Sequence, residues 1–375
     1  FARVRYWLDV KEFLIHRCSG QFVMTADSAF STMLYDIRKG RESFSRSMCG
    51  MLGVNAGHLP RLIRSTEHAG GLTREAAAEL GLAEGTPVFG GGGDASLIGV
   101  GAGATGLHQT HIYCGTSGWV STVVDRPMVD LSAKIAAVVG ANPGYYNYFA
   151  ELETAGKCLE WVKDHLALDE IGIYLEKKRV SDSQEAIYKS LYDYMMHVVS
   201  QVPAGSGGVI FTPWLHGNRC PFEDPQARGM FINIGLDTGK TQLIRAVLEG
   251  VCYHMRWMLE TQAAKAKSAD TIRFVGGGAL SPVACQIMSD ILGRPIETVE
   301  NPQNVGTVGA AVTAAAGLGV ISGVSEAGRL VRPDRRYLPK AENRRIYDAG
   351  FNLYKNLYKD NRRSFAARAA LLSRA

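Results

Sequence analysis

Three glycine-rich segments of this sequence combine a permissive backbone with side chains that can do chemistry. They are Gly90-Gly-Gly-Gly-Asp94, Cys114-Gly-Thr-Ser-Gly118 and Gly276-Gly-Gly-Ala-Leu-Ser281. Glycines let backbone N–H groups approach an anion closely and point toward it together, so each segment could hold a phosphate group. Each segment also has a simpler structural interpretation, and the two interpretations have to be compared loop by loop.

The first two loops are ambiguous from spacing alone. Asp94 stands between a predicted strand and a helix of small residues, where it could cap the helix or act as a catalytic carboxylate. The second loop lies between two predicted strands and could be a plain hairpin turn. A two-residue turn would favour Asn-Gly or Gly-Gly, however, so the hydroxyls of Thr116 and Ser117 between Gly115 and Gly118 also fit a phosphate contact.

The third loop favours a nucleotide more clearly. It follows a predicted strand and precedes a helix, so its free N–H groups would lie at a helix N-terminus. Three consecutive glycines exceed what a plain turn requires. The residues that we predict to contact the nucleotide here are Gly276, Gly277, Gly278, Ala279 and Ser281.

Three other patterns resemble known sites but fail on context. Gly101-Ala-Gly-Ala-Thr-Gly106 matches the dinucleotide fingerprint by letter, yet it should end a helix rather than join a strand to one. Gly235-Leu-Asp-Thr-Gly-Lys-Thr241 is one residue short of a P-loop and reads as a loop before a helix. His108-x-x-His111 is the nearest approach to a metal-ligand pair, but it lies in an apolar strand-like run, and we expect no metal bound directly by protein side chains.

Composition excludes several classes of protein. The 375 residues are 46% hydrophobic, which predicts two domains with sizeable cores. The formal net charge is only +5 with both signs interspersed, which does not favour nucleic-acid binding. Neither a transmembrane segment nor a signal peptide is predicted. The seven cysteines are scattered without a Cys-x-x-Cys pair, which is typical of the reducing cytoplasm.

Hydrophobic periodicity predicts an α/β protein in which consecutive strands begin near Leu107, where a domain boundary is expected. Helices are expected in the opening segment up to Gly20, after Thr73, and after Asp94, and a short strand at 86–89 precedes the four glycines. Later strands and helices alternate, as α/β proteins do. The strands are predicted at 111–114, 119–124, 135–139, 208–214, 272–275 and 296–299, and the later helices at 156–168, 181–202, 240–267, 280–292 and 307–317, with a basic helical tail at 341–375.

Taken in order, these motifs resemble the FGGY carbohydrate kinases, and most closely their xylulokinase branch. Leu14-Ile-His-Arg-Cys-Ser-Gly20 and Thr25-Ala-Asp-Ser-Ala29 resemble the family's first helix with its turn and its Asp-x-Ser-Ala segment. The run 72–88 is similar to the lead-in to the family's catalytic Asp. Further segments with family resemblance are Gly115–Gly118, the loop 213–229 that ends in Ala-Arg-Gly, the helix 243–250, and Gly276–Ser281 with Gln286 and Asp290 on the following helix.

The resemblance implies an actin-like (ribonuclease H-like, ASKHA) two-lobed ATPase fold that closes on ATP and a sugar. Asp94 would be the catalytic base and, together with Ala95, would contact the sugar. Gly115 to Gly118 would hold phosphate, Gly276 to Ser281 would seat the adenosine, and Mg²⁺ would bridge the β- and γ-phosphates. The expected domains are the rest of an N-terminal sugar-binding domain (1–107), a C-terminal ATP-binding domain (108–340) and the helical tail (341–375).

Some features depart from the family pattern. Asn233 replaces a usual Gly, and Ala95 replaces the Asn that xylulokinases commonly carry, which leaves the sugar open between D-xylulose, ribulose and another polyol. The family's opening strand and Asp-x-Gly-Thr phosphate loop do not precede Phe1, so we expect an incomplete first lobe. The alternatives are therefore a silent nucleotide-binding fragment or an actin-like ATPase acting on a protein. A homodimer is the default expectation for the assembly.

Overall fold

A computed structural model describes residues 3–166 and 190–372, and all structural statements below concern these residues. The helices in this part are α1 (Val10–Ser19), α2 (Ala26–Ser31), α3 (Arg46–Met51), α4 (Arg74–Leu80), α5 (Asp94–Gly101), α6 (Gly156–His165), α7 (Leu191–Ser200), α8 (Lys240–Ala263), α9 (Pro282–Leu292), α10 (Val305–Gly317), α11 (Ala327–Leu330) and α12 (Ala341–Leu372). The strands are β1 (Val23–Thr25), β2 (Tyr35–Asp36), β3 (Ser43–Phe44), β4 (Arg61–Ile63), β5 (His68–Gly71), β6 (Pro87–Phe89), β7 (Thr110–Cys114), β8 (Gly118–Val124), β9 (Val129–Asp130), β10 (Ile135–Val139), β11 (Tyr146–Leu152), β12 (Ile210–Phe211), β13 (Phe231–Ile232), β14 (Ile272–Val275), β15 (Ile296–Val299) and β16 (Pro333–Tyr337).

Local capping explains where the early helices begin and end. The Thr73 hydroxyl accepts the N–H of Ala76 at 3.3 Å, as predicted for the start of α4. Both α1 and α4 end at a glycine in the left-handed conformation, Gly20 with φ 71° and Gly81 with φ 67°. The helix expected in the opening segment begins at Val10, because Asp9 caps it through the N–H of Val10 at 2.7 Å.

One mixed sheet organises the second half of the described chain. Its eight strands run in the order β16-β15-β14-β7-β8-β11-β10-β9. Strand β14 pairs with β7 in parallel, so Val275 lies beside Tyr113, and β7 pairs with β8 as a hairpin closed by Cys114 and Gly118. The second and third glycine loops therefore follow the carboxyl ends of two neighbouring parallel strands, at the same end of the sheet.

The largest core lies between this sheet and the long helix α8. Met255 and Met258 of α8 are fully buried, as is Tyr148 of β11, and the terminal helix α12 adds Tyr347 and Tyr354. The predicted C-terminal tail is thus helical over 341–372, and its apolar face packs into the core. No helix in the described ranges is long and apolar enough to cross a bilayer.

Helix α5, which begins at Asp94, packs closely against α10. A Cβ on Gly101 would lie 1.7 Å from the carbonyl oxygen of Val305, and one on Gly309 would lie 2.0 Å from that of Leu97. Only glycine permits this approach of two helix backbones. Gly101, the first glycine of the pattern that resembles the dinucleotide fingerprint, therefore contributes to helix packing at the point where α5 ends.

Most predicted elements appear with shifted ends, and several were missed. The helix predicted at 181–202 appears as α7, and its first residues lie outside the described chain, as do the last residues predicted at 156–168. The strand predicted at 208–214 shortens to β12. The periodicity also missed β11, which pairs with β8 along its whole length.

Candidate active site

The hairpin between β7 and β8 is held by the start of α6. The N–H groups of Ala155 and Lys157 both donate to the carbonyl oxygen of Thr116 at 3.1 Å, and the N–H of Gly156 donates to that of Gly115 at 2.8 Å. These bonds leave the carbonyls of the loop facing α6. The hydroxyls of Thr116 and Ser117 have no hydrogen-bond partner among the described residues, so they can bind a ligand.

The third glycine loop lies against the same hairpin. A Cβ on Gly276 would be 2.6 Å from the carbonyl oxygen of Cys114, and one on Gly278 would be 3.0 Å from its sulfur. Gly276 also has φ 91°, which only glycine adopts readily. Gly276 is therefore required by close backbone packing, and Gly278 packs against the side chain of Cys114. Gly277 is exposed and has no neighbouring heavy atom within 4 Å of a built Cβ.

A cavity of about 440 Å³ opens between these two loops and helices α6, α7, α8 and α9. Its size suits a small ligand such as a nucleoside phosphate. The apolar part of its wall includes Leu159, Met196, Leu248 and Met288. Polar groups of its wall come from the two loops and from Lys157, Glu160 and Asp193. The cavity can therefore bury a flat ring and still offer the loop and Lys157 donors to a phosphate chain.

Ser281 and Ala279 both make structural contacts, and only Ser281 also lines the cavity. The Ser281 hydroxyl accepts the N–H of Ala284 at 3.2 Å and caps α9. Ala279 is buried, and its carbonyl oxygen accepts the thiol of Cys285 at 3.4 Å. Ser281 lines the cavity, whereas Ala279 does not, so the predicted loop contributes unequally to the wall.

Gln286 and Asp290, which follow this loop on α9, are linked to the C-terminal helix. The Gln286 amide donates to Asp290 at 2.8 Å. The buried Asp290 carboxylate also accepts the N–H of Lys340 and the amide of Asn343, at 2.8 and 2.7 Å. The carboxylate therefore stabilises the start of α12.

Asp94 is the first residue of α5, and Gly93 occupies the cap position. The cap interpretation of Asp94 was therefore wrong in detail: its carboxylate accepts only the adjacent N–H of Ala95, at 2.8 Å, and the side chain is exposed. The carboxylate keeps most of its lone pairs for a ligand. A helix N-terminus favours a negative charge at this position.

Ala95 is half-buried beside Asp94, and its backbone is anchored to the sheet. Its carbonyl oxygen accepts the side-chain amide of Asn147 at 3.2 Å, and the Ser96 hydroxyl donates to the carbonyl of Val139 at 3.1 Å. The first turn of α5 is thus attached to β10 and β11, which fixes where the Asp94 side chain begins.

Tyr113 connects the surroundings of Asp94 with the hairpin. Burial, and then the negative charge of Asp94, raise the pKa of Tyr113. The Tyr113 hydroxyl oxygen would lie 2.3 Å from a Cβ on Gly115, so it sits directly at the loop. Its ring stacks on Trp119 with centroids 4.1 Å apart. Sequence reasoning missed Tyr113, and the aromatic residue just before the glycine loop was the available signal.

His111, the second histidine of the His108-x-x-His111 pattern, is hydrogen-bonded inside the sheet. Its Nε2 accepts the indole N–H of Trp119 at 3.1 Å, which places the ring proton on Nδ1. Burial lowers the pKa of His111 to about 4. Across the described ranges, no three His, Cys, Asp or Glu side chains are grouped as a metal site.

Two family models match the chain. That of the FGGY carbohydrate kinases, N-terminal domain, matches residues 1–101, and that of the C-terminal domain of the same family matches residues 111–318. The start of the chain, for which we expected only a remainder of the first lobe, thus falls within the N-terminal match. The gap between the two matches includes Leu107, near which the run of predicted strands begins.

Individual relatives agree with this match. The chain is 28% identical to a xylulose kinase of Bacillus subtilis over 360 residues, which cover 96% of this chain and 67% of that protein. A ligand-bound xylulose kinase from Lactobacillus acidophilus superposes with a TM-score of 0.85 at 25% identity, covering 98% of this chain and 70% of that one. A gluconate kinase from the same organism gives a TM-score of 0.84 at 25% identity, with the same coverage.

Proposed function

The chain belongs to the FGGY family of carbohydrate kinases, and on this premise we propose that it phosphorylates D-xylulose or a related ketopentose, with Asp94 as the catalytic base. Its class, an ATP-dependent sugar kinase with the actin-like two-domain fold, follows from the family and from its relatives. The sugar, the roles of individual residues and the domain limits at 107 and 340 are part of the proposal.

The observation that carries the proposal is that Tyr113 links the hairpin beside the cavity with Asp94. Gly115 and Thr116 of the hairpin and Gly277, Gly278 and Ser281 of the third loop line one cavity of nucleotide size. The Tyr113 hydroxyl lies at the hairpin, and the negative charge of Asp94 contributes, after burial, to the raised pKa of Tyr113. A nucleotide seated in the cavity would direct its phosphates along the hairpin toward the side on which an exposed carboxylate is available.

In the proposed reaction, each group of the chain has a separate task. The Asp94 carboxylate accepts the proton of the attacking sugar hydroxyl. The hydroxyls of Thr116 and Ser117 donate to phosphate oxygens and hold the terminal phosphoryl group in line. The apolar wall with Leu248 and Met288 encloses the adenine ring and excludes water from that end. Positioning of this kind accounts for most of the rate enhancement in phosphoryl transfer.

The donor set fits Mg²⁺ held mainly by the nucleotide. Mg²⁺ usually binds one or two carboxylates together with substrate phosphates and waters, and it needs no cage of protein ligands. The exposed carboxylate of Asp94, which accepts a single hydrogen bond, is assigned to the sugar hydroxyl, so phosphate oxygens and waters would supply the ligands of the ion. When bound, Mg²⁺ would neutralise charge on the β- and γ-phosphates.

The substrate is proposed as a ketopentose because xylulose kinases are prominent among the relatives. A gluconate kinase is similarly close in structure, so a sugar acid is the second candidate. Ala95 presents only a methyl group beside the base. It therefore offers no side-chain hydrogen bond to a sugar hydroxyl, and other residues must provide the discrimination.

A substrate panel tests the proposal. The full-length protein is incubated with ATP, Mg²⁺ and one of D-xylulose, D-ribulose or D-gluconate, and ADP release is measured against a sample without sugar. We expect the largest stimulation with D-xylulose. Preference for D-gluconate would replace the substrate but retain the class. Binding of ATP with no stimulation by any sugar would favour the silent nucleotide-binding alternative.

A further inference from the structure

The loop of four glycines before Asp94 is attached to the protein at both of its ends. The N–H of Gly90 donates to the carbonyl oxygen of Glu67 at 3.0 Å, and that of Gly91 donates to Ser65 at 2.9 Å. A Cβ on Gly90 would lie 2.5 Å from the carbonyl oxygen of Arg64, so the loop begins tightly packed. Glycine has the largest conformational freedom of any residue, and without such contacts this loop would not hold a fixed path.

The second end of the loop is held by a side chain distant in sequence. The N–H of Gly93, the cap residue of α5, donates to Oδ2 of Asp27 at 2.7 Å. A Cβ on Gly92 would lie 2.9 Å from the same oxygen, so the loop passes directly over the carboxylate. Gly93 is the residue immediately before Asp94, and its bond to Asp27 therefore sets the direction in which α5 starts.

Asp27 is itself held by a directional chain of hydrogen bonds. The Lys11 ammonium donates to the Thr25 hydroxyl at 3.0 Å, and Thr25 in turn donates to Oδ1 of Asp27 at 2.5 Å. Lys11 also donates to the carbonyl oxygen of Gly90 at 3.1 Å. One lysine thus contacts the beginning of the loop directly and its end through Thr25 and Asp27.

Lys11 is close to a second carboxylate, besides the series of hydrogen bonds that ends at Asp27. The Lys11 ammonium also lies 2.6 Å from the carboxylate of Glu12, whose side chain is fully buried. Thr25 is fully buried and Asp27 half-buried, so their bonds are partly shielded from water. Hydrogen bonds to charged groups in such surroundings are stronger than those between neutral groups.

We propose that Asp27 is a positioning residue for Asp94: by holding the N–H of Gly93, and supported by Thr25 and Lys11, it fixes the start of α5 and the direction of the base. This inference rests on the proposed function of Asp94. Asp27 acts through the loop and need not contact the sugar, so its removal should lower the catalytic rate more than the affinity for either substrate. Displacement of a base by about 1 Å can reduce a rate on the order of a hundredfold.

The central test compares Asp27→Ala with Asp27→Asn. Alanine removes the acceptor, and we expect kcat to fall roughly ten- to hundredfold while KM for ATP stays unchanged. Asparagine keeps one oxygen for Gly93 and can donate from its amide to Thr25, so it should recover most of the rate. Thr25→Val, which removes only the hydroxyl, should lower kcat in the same direction but less. Asp36→Ala serves as the control, because that carboxylate binds the exposed Arg38.

Hydrogen exchange of residues 90–95 gives a readout that does not depend on turnover. Loss of the Gly93 bond should make exchange there roughly three- to tenfold faster in Asp27→Ala, with protection largely regained in Asp27→Asn. Unchanged exchange in Asp27→Ala, or a higher KM for sugar with unchanged kcat, would overturn the positioning role. If the wild type shows no sugar-dependent turnover, the proposed function fails first, and faster exchange would then support only the structural contact.

Discussion

The N–H of Gly156 donates to the carbonyl oxygen of Gly115 at 2.8 Å, and a Cβ on Gly156 would lie only 2.3 Å from that oxygen. The start of α6 and the β7–β8 hairpin are therefore in backbone contact. This contact fixes the position of the hairpin loop, which carries the hydroxyls of Thr116 and Ser117.

Replacing Gly156 by Ala should move the hairpin away from α6. Overpacking of this kind costs about 1–3 kcal/mol, so we expect a lower melting temperature and a higher KM for ATP. Thermal unfolding and steady-state kinetics would measure the two effects. Gly306→Ala is the matched control, because it also lies in the first turn of a helix and its Cβ would meet only Ile98, at 3.8 Å. Unchanged KM for ATP in Gly156→Ala would contradict a role of the hairpin in nucleotide binding.

Gly277→Ala separates ligand contact from folding. A Cβ at this position meets no protein atom within 4 Å, and the backbone does not require glycine. Stability should therefore match the wild type, whereas a methyl group projecting toward a bound nucleotide should raise the Kd for ATP roughly ten- to hundredfold. Calorimetric titration with ATP would measure the affinity. An unaltered Kd would mean that the nucleotide does not lie against this part of the loop.

Asp94→Asn should reduce turnover while sparing nucleotide binding. The amide cannot accept the proton of the sugar hydroxyl, and general-base assistance is worth about 10²- to 10⁴-fold. Because Asp94 is exposed and bonded only to Ala95, the fold should be unaffected. Sugar-dependent ADP release and the Kd for ATP would be measured on the same preparation. Retention of wild-type turnover would remove Asp94 from the role of base.

Stability should decrease as the pH falls from about 6.5 toward 4. Burial lowers the pKa of both His111 and His254 to about 4, whereas an unfolded histidine titrates near 6.5. Below pH 6.5 the unfolded chain takes up protons that the folded chain does not, so the free energy of unfolding falls as the pH falls. Each histidine should account for about 2 kcal/mol between pH 7 and pH 5.

Urea unfolding at these two pH values would measure the difference. His111→Gln keeps an acceptor for the indole N–H of Trp119, and it should reduce the loss by about 2 kcal/mol. His216→Gln provides a control at an exposed position. If the loss of stability is the same in wild type and His111→Gln, protonation of His111 does not contribute.

Much of the architecture follows from local patterns in the chain. The capping hydroxyl of Thr73, the glycine ends of α1 and α4, and the strands flanking the second and third glycine loops could all be read from residue types and spacing. These features depend on neighbours within a few residues, where steric and hydrogen-bonding preferences are strong. The ordered series of motifs likewise identified the kinase family, as the family matches confirm.

The surroundings of the site were decided by residues far apart in the chain. That Gly276 and Gly278 pack on Cys114 follows from the parallel pairing of β14 with β7, which no local pattern specifies. The bond between Asp27 and Gly93 joins residues 66 positions apart, and the sequence alone marked Asp27 only by its family segment. Backbone approach and long-range hydrogen bonds depend on how whole elements pack. Only the tertiary structure therefore showed which glycines are packed, which of them line the cavity, and what holds the start of the helix that carries Asp94.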